Sequence, residues 1–319
     1  MTKRTIVITQ NLDSSLADQL HSALPDWDII IGRDQSIWEP YIKDAEIIGG
    51  WKRPMNELLT DSSNLKWLQS WSAGIDNFPL ETFEKRNYLL TSGNGVHANP
   101  ISETIFALML GLTRLIHTYV RQQQSKTWHH AGLKLELHGK TIAILGAGAI
   151  GKETAKIAKA FGMTVLGVRK SNKDEEYFDK MHSIEQLNEV LPQSDYVVVT
   201  LPLTKETNKL FKKEQFELMK DSAFFINIGR GEIVEEKDLI EALQKDKIAG
   251  AGLDVFEQEP LDESSPLWEM ENVIVTPHTS GATEYYDERI INNIFLPNLK
   301  DYLDGKKPSV NLVDFSKGY

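Results

Sequence analysis

Short apolar runs recur along the chain, and between them apolar positions fall three and four residues apart. Thr5–Thr9, Ile29–Ile31, Ile47–Gly49, Leu65–Ser70 and Tyr88–Thr91 read as strands, and Leu16–Ala23 reads as an amphipathic helix. That alternation predicts a parallel α/β layer with helices on its faces. Asn99 suits a helix N-cap and Pro100 the first helical position. Ile101, Ile105, Leu108, Met109, Leu112, Leu115 and Ile116 then line one face of a long helix. Residues 122–139 are polar and broken, and read as a connection. A second α/β unit starts at Lys140: the strand "TIAIL", a turn over 146–151, a helix over Lys152–Phe161 and the strand "MTVLGV". "YVVVTLP", "AFFINIG", "AGAGLDVF" and "NVIVTP" have the continuous apolar character of buried parallel strands. Helical patterns at Lys213–Met219 and Lys237–Gln244 separate them, and Glu284–Leu303 reads as a last helix broken at Pro297.

Composition narrows the function classes. A chain of 319 residues suggests two domains, and 41% hydrophobic with 25% charged residues is an ordinary globular balance. The absence of cysteine excludes disulfides, thiol catalysis and thiolate metal sites. A net charge of -11 argues against a nucleic-acid partner. The N-terminal apolar stretch Ile6–Ile8 is too short for a signal peptide, and "IFALMLGL" falls short of the ~20 residues that span a bilayer. The expectation is a cytoplasmic protein with no membrane partner.

"GAGAIG" places Gly146, Gly148 and Gly151 in a G-x-G-x-x-G pattern between a strand and a helix. The first glycine permits a tight turn, the second lets backbone approach a pyrophosphate, and the third lets helix and strand pack closely. An acid that grips the ribose 2′-hydroxyl of NAD is expected about 20 residues on. The strand "MTVLGV" is followed instead by Arg169-Lys170-Ser171. A guanidinium can clasp a 2′-phosphate, which a carboxylate would repel. The expected cofactor is therefore NADP(H), with Arg169 as main reader and NAD(H) as the second possibility; the bland alternative is a solvated basic pair beside the acidic loop "NKDEE". At later strand exits stand Arg230, Asp254 with Glu259, and His278. An arginine can anchor a carboxylate and polarise the adjacent carbonyl, a histidine can donate a proton near neutral pH, and a carboxylate beside it favours the imidazolium. With a nicotinamide, that set suits reduction of a 2-keto acid.

"GAGAIG", "LPLTKET", "INIGRGEIVEE", "AGAGLDVFEQEP" and "VTPHTSG" occur in this order, and through them nearly the whole chain resembles the D-isomer-specific 2-hydroxyacid dehydrogenases. The resemblance implies two Rossmann-like domains with a cleft between them. A cofactor domain over 99–282 would be inserted into a substrate domain formed by 1–98 and 283–319. It implies that Arg230 binds substrate carboxylate and carbonyl, that His278 donates the proton, that Glu259 keeps His278 protonated, and that Asp254 meets the nicotinamide carboxamide. Cofactor contacts are expected from Gly146, Ala147, Gly148, Ala149, Ile150, Gly151, Arg169, Lys170 and Ser171, and from Leu201, Pro202, Thr207, Ile228, Gly229, Asp254, Ser280 and Gly281. Ala73 and Gly74 in "SAGID" would hold the substrate carboxylate, and Trp51 would either wall the pocket or pack in the core. Members are commonly homodimers, and Trp128-His129-His130 belongs to a candidate contact; adjacent histidines are poor metal ligands as a pair, so no metal is expected. The Arg169 turn is similar to the glyoxylate/hydroxypyruvate reductase branch. A short 3-phosphoglycerate dehydrogenase, gripping phosphate through Lys52 and Arg53, and a dinucleotide-binding corepressor are the alternatives.

Overall fold

The computed structural model describes residues 3–59, 63–75, 78–171 and 173–315. The chain divides into two compact units, Met1–Val96 with Thr283–Tyr319, and His97–Ala282. The first unit holds the strands β1 (Thr5–Ile8), β2 (Asp28–Ile31), β3 (Ala45–Gly49), β4 (Trp67–Gln69) and β5 (Leu89–Thr91), ordered β2-β1-β3-β4-β5 and all parallel. Successive strand residues point to opposite faces, so continuous apolar runs bury both. Val7, Ile48, Leu68 and Leu90 join one cluster with Trp38, Met55 and Phe83. Ile6, Ile8, Ile47 and Trp67 join another with Leu16, Leu20, Ile291, Phe295 and Leu299. Residues far along the chain thus complete the first core, and the Trp67 and Phe295 rings stack 5.0 Å apart. Glu46 secures the return: it accepts two hydrogen bonds from Arg4, at 2.9 and 2.7 Å, and one from the Tyr302 hydroxyl at 2.6 Å.

The last helix runs from Tyr286 to Leu303 without the expected break at Pro297. Its turn Ile291–Phe295 is π-helical, and the Leu296 amide bonds to the Ile291 carbonyl five residues back. Proline lacks an amide and its ring crowds the carbonyl four residues before it, so a widened turn accommodates it.

The second unit holds β6 (Thr141–Leu145), β7 (Thr164–Arg169), β8 (Lys180–Ser183), β9 (Tyr196–Val199), β10 (Phe224–Asn227), β11 (Gly250–Leu253) and β12 (Val273–Val275). Their order is β12-β11-β10-β9-β6-β7-β8, again parallel. Ala143, Leu145, Val197, Val199 and Phe225 enter the core on one face, while Ile142, Ile144, Tyr196, Val198, Phe224 and Ile226 enter the core on the other. The edge strand β8 was not foreseen, because "KMHS" carries no apolar alternation. Both ends of the long helix differ from expectation. The helix Ala98–Thr113 starts before Asn99, with His97 at its N-cap position, and Pro100 fits in the first turn, where amides need no helical partner. It also stops short of Ile116: Leu115 has φ 55°, which ends the helix, and a second one runs Ile116–Gln124. No helix among the described residues is long and apolar enough to cross a membrane.

Candidate active site

The strand β6 lies between β7 and β9, so the chain leaves it first to one side and then to the other. Loops part at such a switch point and leave room for a ligand at the carboxyl ends of the strands. The glycine loop follows β6 there. Its helix starts earlier than expected, at Ala149, with Gly148 as N-cap and no side chain capping the first amides. Gly146 has φ 109°, and a Cβ there would lie 2.6 Å from Thr200 Oγ1. A Cβ on Gly151 would lie 1.8 Å from the Gly146 carbonyl oxygen, so only glycine fits. At Gly148 a Cβ would meet nothing within 4 Å. Its bareness serves no packing within the protein, and open space before uncapped amides at a helix N-terminus suits the pyrophosphate of a dinucleotide. Thr200, which sequence reasoning missed, donates towards the Leu145 and Gly146 carbonyls, at 3.0 Å each, and braces the loop.

Arg169 ends β7, but it does not face solvent as a free cation. Its Nη1 donates to Glu175 Oε2 at 3.0 Å, its Nε to the Ser171 carbonyl at 3.0 Å and its Nη2 to the Lys173 carbonyl at 2.8 Å. The reading that no acid serves this position is corrected: Glu175 supplies the counter-charge that a part-buried guanidinium needs. Lys170 and Ser171 are exposed.

Arg230, Glu259 and His278 follow three neighbouring strands, β10, β11 and β12. Buried Asn227 sets Arg230, its side-chain oxygen accepting the Gly229 amide at 3.1 Å and its amide donating to the Arg230 carbonyl at 3.1 Å. The Arg230 guanidinium donates to the Gly229 carbonyl at 2.7 Å and stays exposed. A Cβ on Gly231 would lie 1.8 Å from the Phe256 carbonyl oxygen, so the Arg230 and Glu259 loops touch through bare backbone. Glu259 Oε1 accepts the Phe256 amide at 3.1 Å, and Oε2 pairs with His278 Nδ1 at 2.7 Å. The His278 side chain is 51% exposed. With Nδ1 held by a carboxylate, the ring presents Nε2 outward to carry a proton.

His278 has φ 51°, a left-handed backbone that costs a histidine roughly 1–2 kcal/mol. Asp254 offsets it. Its carbonyl accepts the His278 amide at 2.9 Å, and its fully buried carboxylate accepts Thr276 Oγ1 at 2.6 Å and the Thr279 and Ser280 amides at 3.0 Å each. Asp254 thereby holds the His278 loop. Thr207 is likewise buried, its hydroxyl bonded to the Pro202 carbonyl at 2.7 Å, and it locks its own turn. Leu201, Ile228 and Ser280 are buried, and Gly281 sits against His97, whose Nδ1 lies 2.9 Å from its carbonyl oxygen.

In the first unit, Trp51 follows β3, and the turn containing Ala73 and Gly74 follows β4. Trp51 stacks on Phe78 at 5.6 Å and meets Phe83 edge-on at 5.2 Å, which makes it part of an aromatic cluster. The turn is exposed at Ala73 and Gly74 and pinned by Ser72 Oγ, which donates to the Gly74 carbonyl at 2.7 Å. Arg53 is exposed, and Lys52 is held below the usual lysine range by burial and by the neighbouring charge of Arg33. Among the described residues no cluster of three or more His, Asp or Glu side chains is placed to hold a metal.

Residues 106–280 match the family model described as D-isomer specific 2-hydroxyacid dehydrogenase, NAD binding domain. A glyoxylate/hydroxypyruvate reductase B from Enterobacter sp. (strain 638) is 37% identical over 252 residues, 77% of each chain. A solved structure of a D-isomer specific 2-hydroxyacid dehydrogenase family protein from Aeromonas salmonicida superposes with TM-score 0.85 at 36% identity, covering 98% of this chain and 100% of the other. An NADPH-dependent glyoxylate/hydroxypyruvate reductase from Sinorhizobium meliloti, solved with NADP and sulfate, gives TM-score 0.81 at 25% identity, covering 99% and 100%.

Proposed function

The chain belongs to the D-isomer specific 2-hydroxyacid dehydrogenase family, and from that premise we propose that it reduces a small 2-keto acid such as glyoxylate or hydroxypyruvate with NADP(H). The observation that carries this reading is the His278–Glu259 pair at 2.7 Å, with the Glu259 loop touching the Arg230 loop at Gly231. A bound nicotinamide supplies the hydride. Arg230 offers its guanidinium fork to the substrate carboxylate and polarises the carbonyl. His278 donates the Nε2 proton to the carbonyl oxygen as charge develops there. Glu259 holds the ring by Nδ1 and stabilises its charged form, and Asp254 fixes the backbone from which the ring projects. The amides of Ala73 and Gly74 take part in carboxylate recognition. Residues 97–282 form the cofactor domain and the remainder the substrate domain. Arg169, Lys170 and Ser171 recognise the 2′-phosphate, with NAD(H) a weaker cofactor, and the cytoplasm is the site of action.

The test is a panel of glyoxylate, hydroxypyruvate and 3-phosphohydroxypyruvate with each coenzyme, read as kcat/KM. Highest values with NADPH and the two small acids support the proposal; no turnover of any 2-keto acid would end it, and preference for the phosphorylated acid would reassign the substrate. We also propose a homodimer through the segment from Ile116 to Leu135. Trp128 is 98% exposed there, and Ile116, Val120, Leu133 and Leu135 are exposed beside it. Light scattering should give twice the chain mass, and Trp128→Lys should shift it towards the monomer.

A further inference from the structure

Glu175 joins two cations that belong to different elements. Its Oε2 accepts Arg169 Nη1 at 3.0 Å, and its Oε1 pairs with Lys152 Nζ at 2.9 Å. Lys152 lies in the first turns of the helix that opens at the glycine loop, and Arg169 ends the strand beside it. The Gly146 amide donates to the Val168 carbonyl at 2.8 Å, so Arg169 directly follows the residue that pairs with the phosphate loop. Every guanidinium nitrogen of Arg169 has a partner within its own turn, and the Arg169 and Glu175 side chains are only 22% and 19% exposed. The pairing with Lys152, then the bonds from Arg169, hold the Glu175 carboxyl below the usual carboxylate range. Around neutral pH the site therefore carries its own anion.

A 2′-phosphate needs the same N–H donors and brings like charge, so phosphate and carboxylate cannot share the position. A 2′-hydroxyl is neutral and leaves the ion pair in place. We propose that Glu175 is a built-in competitor for the 2′-phosphate, so that Glu175 together with Arg169 sets how strongly the protein prefers NADP(H) over NAD(H). Once Glu175 is displaced, Lys152 and Arg169 both become available to the phosphate. This inference rests on the reading of Arg169 as the phosphate reader, and the experiment separates the two.

Binding of NADP+, NAD+, adenosine 2′,5′-bisphosphate and adenosine 5′-monophosphate is measured by calorimetry on the full chain. Glu175→Gln should tighten the two 2′-phosphorylated ligands about tenfold and leave the other two within about twofold. Glu175→Asp, which keeps the charge but withdraws it by one methylene, should tighten them about threefold. Arg169→Met should abolish the preference for the 2′-phosphorylated member of each pair. If Arg169→Met weakens 2′-phosphate binding while both Glu175 variants leave it unchanged or weaker, the competitor role fails and the phosphate reader stands. If Arg169→Met changes nothing, the NADP reading itself fails. Selective weakening of the unphosphorylated ligands by Glu175→Gln would instead make Glu175 a ribose-hydroxyl acceptor and overturn the proposal.

Discussion

β1 in the first unit and β6 in the second each have a neighbour on both sides that follows them in the chain, so each sheet has one switch point. Beyond the strand ends the resemblance stops. In the second unit polar side chains hold the loops: buried Asn227 under Arg230, buried Asp254 under His278, and half-buried Thr200 under the glycine loop. In the first unit the loop after β3 packs the half-buried Trp51 ring against Phe78, and the turn after β4 is pinned by short-range serine bonds. The proposed reaction centre thus rests on polar side chains beneath its loops, and the proposed recognition turn is more lightly held. A switch point at the first strand is common to both; side-chain bonds beneath the loops are what distinguish the second unit.

The sharpest way to break this contrast is His278→Ala. It should lower kcat with the best 2-keto acid about a thousandfold, with cofactor binding by calorimetry unchanged. Asp254→Asn comes next. Replacing one acceptor oxygen with an amide donor opposes the bonds from the loop, and a drop in kcat of about a hundredfold is expected with Glu259 and His278 both intact. A rate near wild type would show that the His278 loop holds itself. Ser72→Ala tests the other side: loss of the Ser72 Oγ bonds to the Gly74 carbonyl and to Ser70 Oγ should raise KM for the keto acid about threefold and spare kcat. The smallest effect on catalysis is expected from Glu46→Gln, which should alter stability instead. Burial pushes the Glu46 carboxyl up, but the bonds from Arg4 and Tyr302 outweigh it and hold it at about 2. An unfolded glutamate titrates near ~4.3, so the stabilisation is complete above that pH and is lost as pH falls towards the folded value. A Tm series should fall steeply across this window in the wild type and less steeply in the variant.

The two sheets were legible because strands buried on both faces spell continuous apolar runs, as in "YVVVTLP". β8 was not, since an edge strand of four mixed residues carries no period. Arg230, Glu259 and His278 could be picked out by their places at strand exits, a property of the local chain. Thr200 could not, because its bonds reach Leu145 and Gly146, far earlier in the chain, and Asn227 could not, because its local bonds are hidden in the apolar run "AFFINIG". Glu175 was passed over for a related reason: a run of charges reads as solvated until the backbone is seen to turn it inwards. Trp51 shows the converse, a large aromatic near a loop that finds its partners within its own unit.

The bare contact between Gly231 and the Phe256 carbonyl has a consequence for how such a protein could change over time. Any side chain at residue 231 drives the Arg230 loop away from the loop carrying Glu259, and with it the proposed carboxylate anchor away from the proposed proton donor. The spacing between a substrate's acid group and its reacting carbonyl is therefore not open to gradual adjustment. Selection can lengthen or shorten the rest of the substrate only by remodelling loops that do not pass through this contact. A library randomised at residue 231 should return glycine almost alone, whereas one randomised at exposed Arg53 should return many solutions.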